Sequence, residues 1–217
     1  MKVKPTVKAK LVANAKLSIN RAHNLYQRIC INGATRSGKQ HSPLMNPDRR
    51  DAATFIFFEV AAQYESFCCE AFKIEVRKKF GVAPQKAVYL MGSSDKGLSG
   101  VMGWAVPHLI QNRAQNLYGQ TGFFGRFESI VTKPIYDQLS HAHKVRNRIA
   151  HNGHKAVTDY NKIIPNLGVP IGSRKGLSVG RLLMDYPHQS QIGSRWFDLF
   201  LANYEKVINE FDNHVIV

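Results

Sequence analysis

Apolar residues recur along this chain at helical rather than alternating spacing. From about Lys8 to Ile31, Leu17, Leu25 and Ile29 fall at intervals of four and eight, predicting a helix, and the polar stretch GATRSGKQHSPLMNPD after it reads as a long loop. A second helix is expected from about Arg50 to Phe80. It is apolar on most of its circumference and is stopped by Gly81, with Pro84 beyond. GSSDKGLSG reads as a loop, and Val101 to Tyr118 as a third helix despite Pro107, ended by Gly119 and Gly122. Thr132 or Lys133 can cap a fourth helix with Pro134 in its first turn, closed by Asn152-Gly153 after His151. Val157 to Ser194, rich in Pro, Gly and basic residues, shows no sustained period and is expected to wrap the surface, with room for a short strand pair. Trp196 to Phe211 is a final helix. Strand-helix alternation is absent, so the expected fold class is mainly α, a helical bundle with a long surface segment near the C-terminus.

The pattern also exposes misplaced charges. On a wheel of the fourth helix with Ile135 at zero, Leu139, Ala142, Val145 and Ile149 gather on one face, and Arg146 falls among them at about 20°. A guanidinium in an apolar stripe needs an anion, or a cleft that water or a charged ligand occupies. On the second helix, with Phe55 at zero on the wheel, Phe58, Ala62, Cys69, Phe72 and Val76 form a stripe that holds Glu65, while Glu59, Gln63, Ser66 and Glu70 make a separate polar strip. Glu65 is the matching carboxylate. The two can form a buried bridge that fixes register and adds little stability, or they can serve a site.

His151 favours a site. It leaves the apolar face and stands at the end of the helix, beside the negative end of the macrodipole. Arg146 and His151 point about 140° apart on one straight helix, so they converge at a cleft edge, or two copies face each other across a twofold axis.

Composition narrows the partners. The 217 residues hold 30 Lys plus Arg against 15 Asp plus Glu, a formal charge of +15, which suits a polyanion such as nucleic acid. The length suits one folding unit over 1–217, with a core about 50–154 and flanking helices about 8–31 and 196–213. Three cysteines, Cys30, Cys68 and Cys69, have no metal or disulfide spacing, which suits a reducing cytoplasm. No segment approaches a membrane span, and MKVKPTVKAKLVANAKLS lacks the apolar stretch of a secretory signal.

GATRSGKQ, Gly33 to Gln40, follows the phosphate-loop pattern G-x-x-x-x-G-K until Gln40 stands where Ser or Thr would ligate magnesium. A helical pattern precedes it and Pro43 and Pro47 follow, so a flexible basic loop is the better account. His141, His143, His151 and His154 lack the Cys or carboxylate that would complete a metal-ligand set, and read as solvent-facing. No metal and no cofactor are expected. Lys144 and Arg148 flank Arg146 as backbone-phosphate contacts. Arg174, Lys175 and Arg181 form a second basic set that can cover the cleft or touch RNA, and Trp104 and Trp196 are expected to be packing residues rather than base-stacking ones.

The segment VRNRIAHNG resembles the R-x4-6-H signature of HEPN-domain proteins, with Asn147 as the polar residue that commonly follows the arginine. Tyr64-Glu65-Ser66-Phe67 is similar to the acidic helix preceding that signature, and the resemblance spans roughly Arg50 to His154. It implies an α-helical bundle, a homodimer formed through the signature helices with a composite site at the interface, and metal-independent RNA cleavage. Arg146 would bind the scissile phosphate and His151 would act as general base or acid. Asn147 would orient the phosphate or the histidine, and Glu65 would hold Arg146. Many such proteins are defence or toxin-type effectors, so an antitoxin or other inhibitor is a possible partner. Others are inactive binding or scaffolding modules, which is the alternative reading. A DNA-binding regulator rests on charge alone.

Overall fold

The computed structural model describes residues 5–32, 46–93, 103–186 and 194–215. In chain order its helices are α1 (Val7–Tyr26), α2 (Asn46–Phe80), α3 (Pro84–Ser93), α4 (Pro107–Tyr118), α5 (Gly122–Gly125), α6 (Phe127–Val131), α7 (Lys133–Ala150), α8 (His154–Ile163), α9 (Val179–Asp185) and α10 (Trp196–His214). A π-helical turn, Gln27–Ile31, extends α1, and short 3-10 turns occupy Ile164–Leu167 and Ile171–Ser173. The protein is mainly helical, and no strand occurs among the described residues. Among those residues no helix is long and apolar enough to cross a membrane.

The chain divides into two compact units, one of Met1–Leu17, Ala62–Ser140 and Asn203–Val217, the other of Ser18–Ala61 and His141–Ala202. The first unit is built on aromatic side chains. Tyr64 stacks on Tyr204 with centroids 4.1 Å apart, Phe67 and Phe123 each meet Phe211 edge-on, and Phe127 packs on Tyr136. Within this apolar mass sits one carboxylate, Glu75, 5 % exposed. It accepts hydrogen bonds from the backbone N–H groups of Phe123 and Phe124, the latter at 3.1 Å, and from Tyr118 Oη at 3.0 Å. Glu75 thereby satisfies donors at the start of α5 that have no partner inside that helix. Gly122 makes this possible. Its φ is +70°, and a Cβ there would collide with the Glu75 carboxylate.

In the second unit Tyr26 stacks on Phe197, centroids 3.7 Å apart, and Phe57 and Trp196 both pack on Phe200. Trp196 Nε1 donates to the carbonyl of Leu167 at 3.1 Å, giving a buried indole its required acceptor. Gly180 lies so close to the backbone of Arg50 that a Cβ would meet its carbonyl, and Arg50 Nη2 pairs with Asp185 at 2.6 Å.

Three expectations change. The third helix starts at Pro107 and not at Val101. Val106 is extended, its carbonyl accepts from Ile110 N at 3.1 Å, and proline takes the first helical position, where a missing N–H matters least. The segment after Val157 is neither a surface wrap nor a strand pair across its described residues. Tyr160, Ile163, Ile164, Leu167, Leu182 and Leu183 are buried in short helical pieces separated by Pro and Gly. On α2 the expected stripe holds only in part: Phe72 and Val76 are buried, and so are Phe57, Val60, Ala61, Tyr64, Phe67 and Cys68 from outside it. Phe58, Ala62, Glu65 and Cys69 from the expected stripe are half-buried. The GATRSGKQ stretch lies outside the described residues, as does most of GSSDKGLSG.

Candidate functional site

The second half of α7 lies in the second unit and carries most of the expected site. Thr132 caps this helix through its backbone, accepting from Tyr136 N at 3.0 Å, and the last helical bond runs from His151 N to Asn147 O at 3.0 Å. The helix therefore ends where Asn152-Gly153 predicts, and leaves His151 just past its last residue with an exposed side chain.

Ala142 and Val145 are buried, and every other residue from His141 to Ile149 is half-buried. Arg146 belongs to the half-buried set. Its Cζ lies 5.3 Å from the centroid of the Phe58 ring, and its Nη1 donates to Asn147 Oδ1 at 3.4 Å, a long hydrogen bond. A ring face and an amide oxygen both favour a cation, and both contact the half-buried guanidinium. Asn147 Nδ2 lies 2.8 Å from His143 Nε2. Arg146, Asn147 and His143 are thus one connected group, and His151 stands one turn beyond Asn147.

His143 corrects the expectation that these histidines face solvent. His141 and His143 are half-buried with shielded Nδ1 atoms, whereas His151 and His154 are exposed. The signal for His143 was present in its spacing of four from Asn147, which puts both side chains on one face of a helix.

Lys144 is half-buried. Arg148 is committed locally, its Nη1 donating to Asn152 Oδ1 at 2.8 Å, so it fastens the end of α7. Arg174 Nε donates to the carbonyl of Val169 at 2.8 Å, and Arg181 Nε stands 3.7 Å from Asp185, which leaves Lys175 as the exposed member of that basic set. Glu65 lies in the first unit, half-buried on α2 between the buried Tyr64 and Phe67. Both tryptophans pack, as expected: Trp196 is buried, and Trp104 carries the guanidinium of Arg113 4.5 Å from its ring centroid.

The cysteines are poor nucleophiles. All three thiols are free, and burial pushes Cys30 up to about 11 and raises Cys68 and Cys69 as well. Among the described residues no group of three His, Cys, Asp or Glu side chains is placed to hold a metal ion. A cavity of about 250 Å³ lies in the first unit, lined by Val7, Lys73, Ile74, Arg77 and Val88 among others, and contains none of the expected site residues. Compared with known proteins, the chain matches no protein-family model, no curated protein and no solved structure.

Proposed function

We propose that this protein is a metal-independent endoribonuclease of the HEPN type. The observation that carries the reading is Arg146 and His151 at R-x4-H spacing across the end of α7, with Arg146 bonded to Asn147 and His151 exposed just past the last helical residue. A guanidinium is a planar fork of donors shaped for a phosphate, and an exposed imidazole at a helix end can reach a ribose.

In the proposed reaction His151 takes the proton of a 2′-hydroxyl while that oxygen attacks the adjacent phosphorus. The bond from phosphorus to O5′ breaks, and the leaving oxygen gains a proton. Arg146 stabilises the charge that develops on the non-bridging oxygens. The products are a 2′,3′-cyclic phosphate and a 5′-hydroxyl, and DNA, which lacks the nucleophile, survives. Arg146 and His151 diverge by about 140° on the helix, so the active species is a homodimer in which each copy completes the other's site. Lys144 supplies a phosphate contact that reads no base. Arg148, bonded to Asn152, acts through the geometry of the helix end. A toxin or defence role under the control of an inhibitor is consistent with such an activity.

The test is incubation of wild type and His151→Ala with mixed cellular RNA in excess chelator, followed by analysis of the product ends. Cleavage by wild type alone, leaving cyclic phosphate ends, supports the reading. Salt-dependent RNA binding with no cleavage by either protein overturns it in favour of a binding module.

A further inference from the structure

The proposed chemistry uses Arg146, Asn147 and His151, and assigns nothing to His143. Yet His143 is tied to all three by position. Residues 143 and 147 are four apart and share one face of α7, and His151, four further on, closes the last helical bond onto the carbonyl of Asn147.

The hydrogen bonds on that face permit one arrangement. A guanidinium has donors and no acceptor, so the Asn147 atom that meets Arg146 Nη1 at 3.4 Å must be the amide oxygen. The amide nitrogen then faces His143 Nε2 at 2.8 Å, and an amide NH2 can only donate. Nε2 must therefore offer its lone pair, which puts the proton of the neutral ring on Nδ1. A flipped amide would aim its NH2 at the guanidinium and meet two donors face to face. With His143 in place, Asn147 has one orientation, and that orientation presents its oxygen to Arg146.

We propose that His143 is a positioning residue: held in its Nδ1–H tautomer, it fixes the amide of Asn147 so that the amide oxygen orients Arg146 toward a scissile phosphate. The inference rests on the ribonuclease reading above and deepens it. His143 acts through Asn147 and needs no contact with RNA. Removing its ring frees the amide to rotate, and the guanidinium loses a fixed direction while keeping its charge. The loss falls on the step in which charge develops, not on the capture of RNA.

The experiment combines kinetics with the spectrum of the imidazole, both on the full chain. His143→Ala is expected to lower kcat for RNA cleavage roughly fivefold with KM unchanged. His143→Gln, whose side-chain oxygen can accept from the same amide, is expected to restore most of that loss. The double variant with Asn147→Ala is expected to be no slower than Asn147→Ala alone, because the two act as one unit. Ring 15N shifts of histidine-labelled protein should put the proton of neutral His143 on Nδ1 in wild type, and move it toward Nε2 in Asn147→Ala. A wild type that cleaves RNA while His143→Ala does so equally well overturns the positioning role and leaves the nuclease reading standing. An Nε2–H tautomer in wild type overturns it too. A wild type that leaves RNA intact overturns both.

Discussion

The guanidinium of Arg146 lies over the ring of Phe58, 5.3 Å from its centroid. Both side chains are half-buried, so the ring face replaces part of the hydration that the cation gives up, a contact worth roughly 1 kcal/mol at such a site. Phe58→Leu keeps apolar cover and removes the π-face. Its expected effect is a loss of about 1 kcal/mol in unfolding free energy, with an unchanged denaturant slope in urea titration. A variant as stable as wild type would reduce the ring to a packing surface.

Arg146 and His151 should separate in their effects on stability and chemistry. His151 is exposed beyond the end of α7, so His151→Ala should leave the unfolding free energy within about 0.5 kcal/mol of wild type while cutting RNA cleavage by about 100-fold or more. Arg146→Lys keeps the charge but loses the planar fork that binds a phosphate through two donors, and is expected to lower kcat by roughly 100-fold. Thermal unfolding alongside a cleavage assay checks both. Retained cleavage in Arg146→Lys would mean that point charge suffices and that the geometry around Asn147 does not matter.

The end of α7 was legible in the sequence because its determinants are local. Pro134 fits a first turn, Asn152-Gly153 fits a stop, and the wheel puts Arg146 among apolar neighbours, where the structure has it half-buried against Phe58. The buried face of α2 was legible only in part. That helix is apolar around most of its circumference, so the wheel picked out Phe72 and Val76, which are buried, but took Phe58 over Phe57, and only packing makes Phe57 the buried one of that pair. Glu75 escaped notice for a different reason. Its bonded partner Tyr118 is 43 residues away and the Phe123 and Phe124 amides lie further still, so no local pattern marks it as buried. His143 was visible by spacing but was read as solvated, because a basic helix around it suggested an open face.

Gly122 provides a sharp structural test in the first unit. Its φ of +70° is a conformation that side chains disfavour, and an added Cβ would strike the carboxylate that holds the start of α5. Relief would require Glu75 to withdraw from the amides of Phe123 and Phe124, leaving buried donors without their acceptor. Gly122→Ala is therefore expected to destabilise by roughly 3 kcal/mol in denaturant titration. Gly153→Ala serves as the control, since a Cβ there has nothing within 4 Å. Equal stability of the two variants would show that the loop before α5 shifts freely.

The same carboxylate gives a pH dependence with a definite sign. Burial raises the Glu75 carboxyl above the ordinary carboxylate range, and the hydrogen bonds from Phe124, Phe123 and Tyr118 offset only part of that rise. The folded protein therefore holds the Glu75 proton to a higher pH than the unfolded chain does. Between the two values the folded state binds more protons, so this group's contribution to stability falls as pH rises through that window and levels off above the folded value. An ordinary paired carboxylate would do the opposite, adding stability as pH rises. Glu75→Gln removes the titration, although it leaves one amide of α5 facing an NH2 and lowers stability at every pH. The stability of wild type minus that of Glu75→Gln is therefore expected to decline from the acid end of the carboxylate range toward neutral pH. Denaturant titrations of both proteins across that range measure it. A difference that rises with pH would mean that the three donors outweigh burial, and that Glu75 is held as an anion in the core.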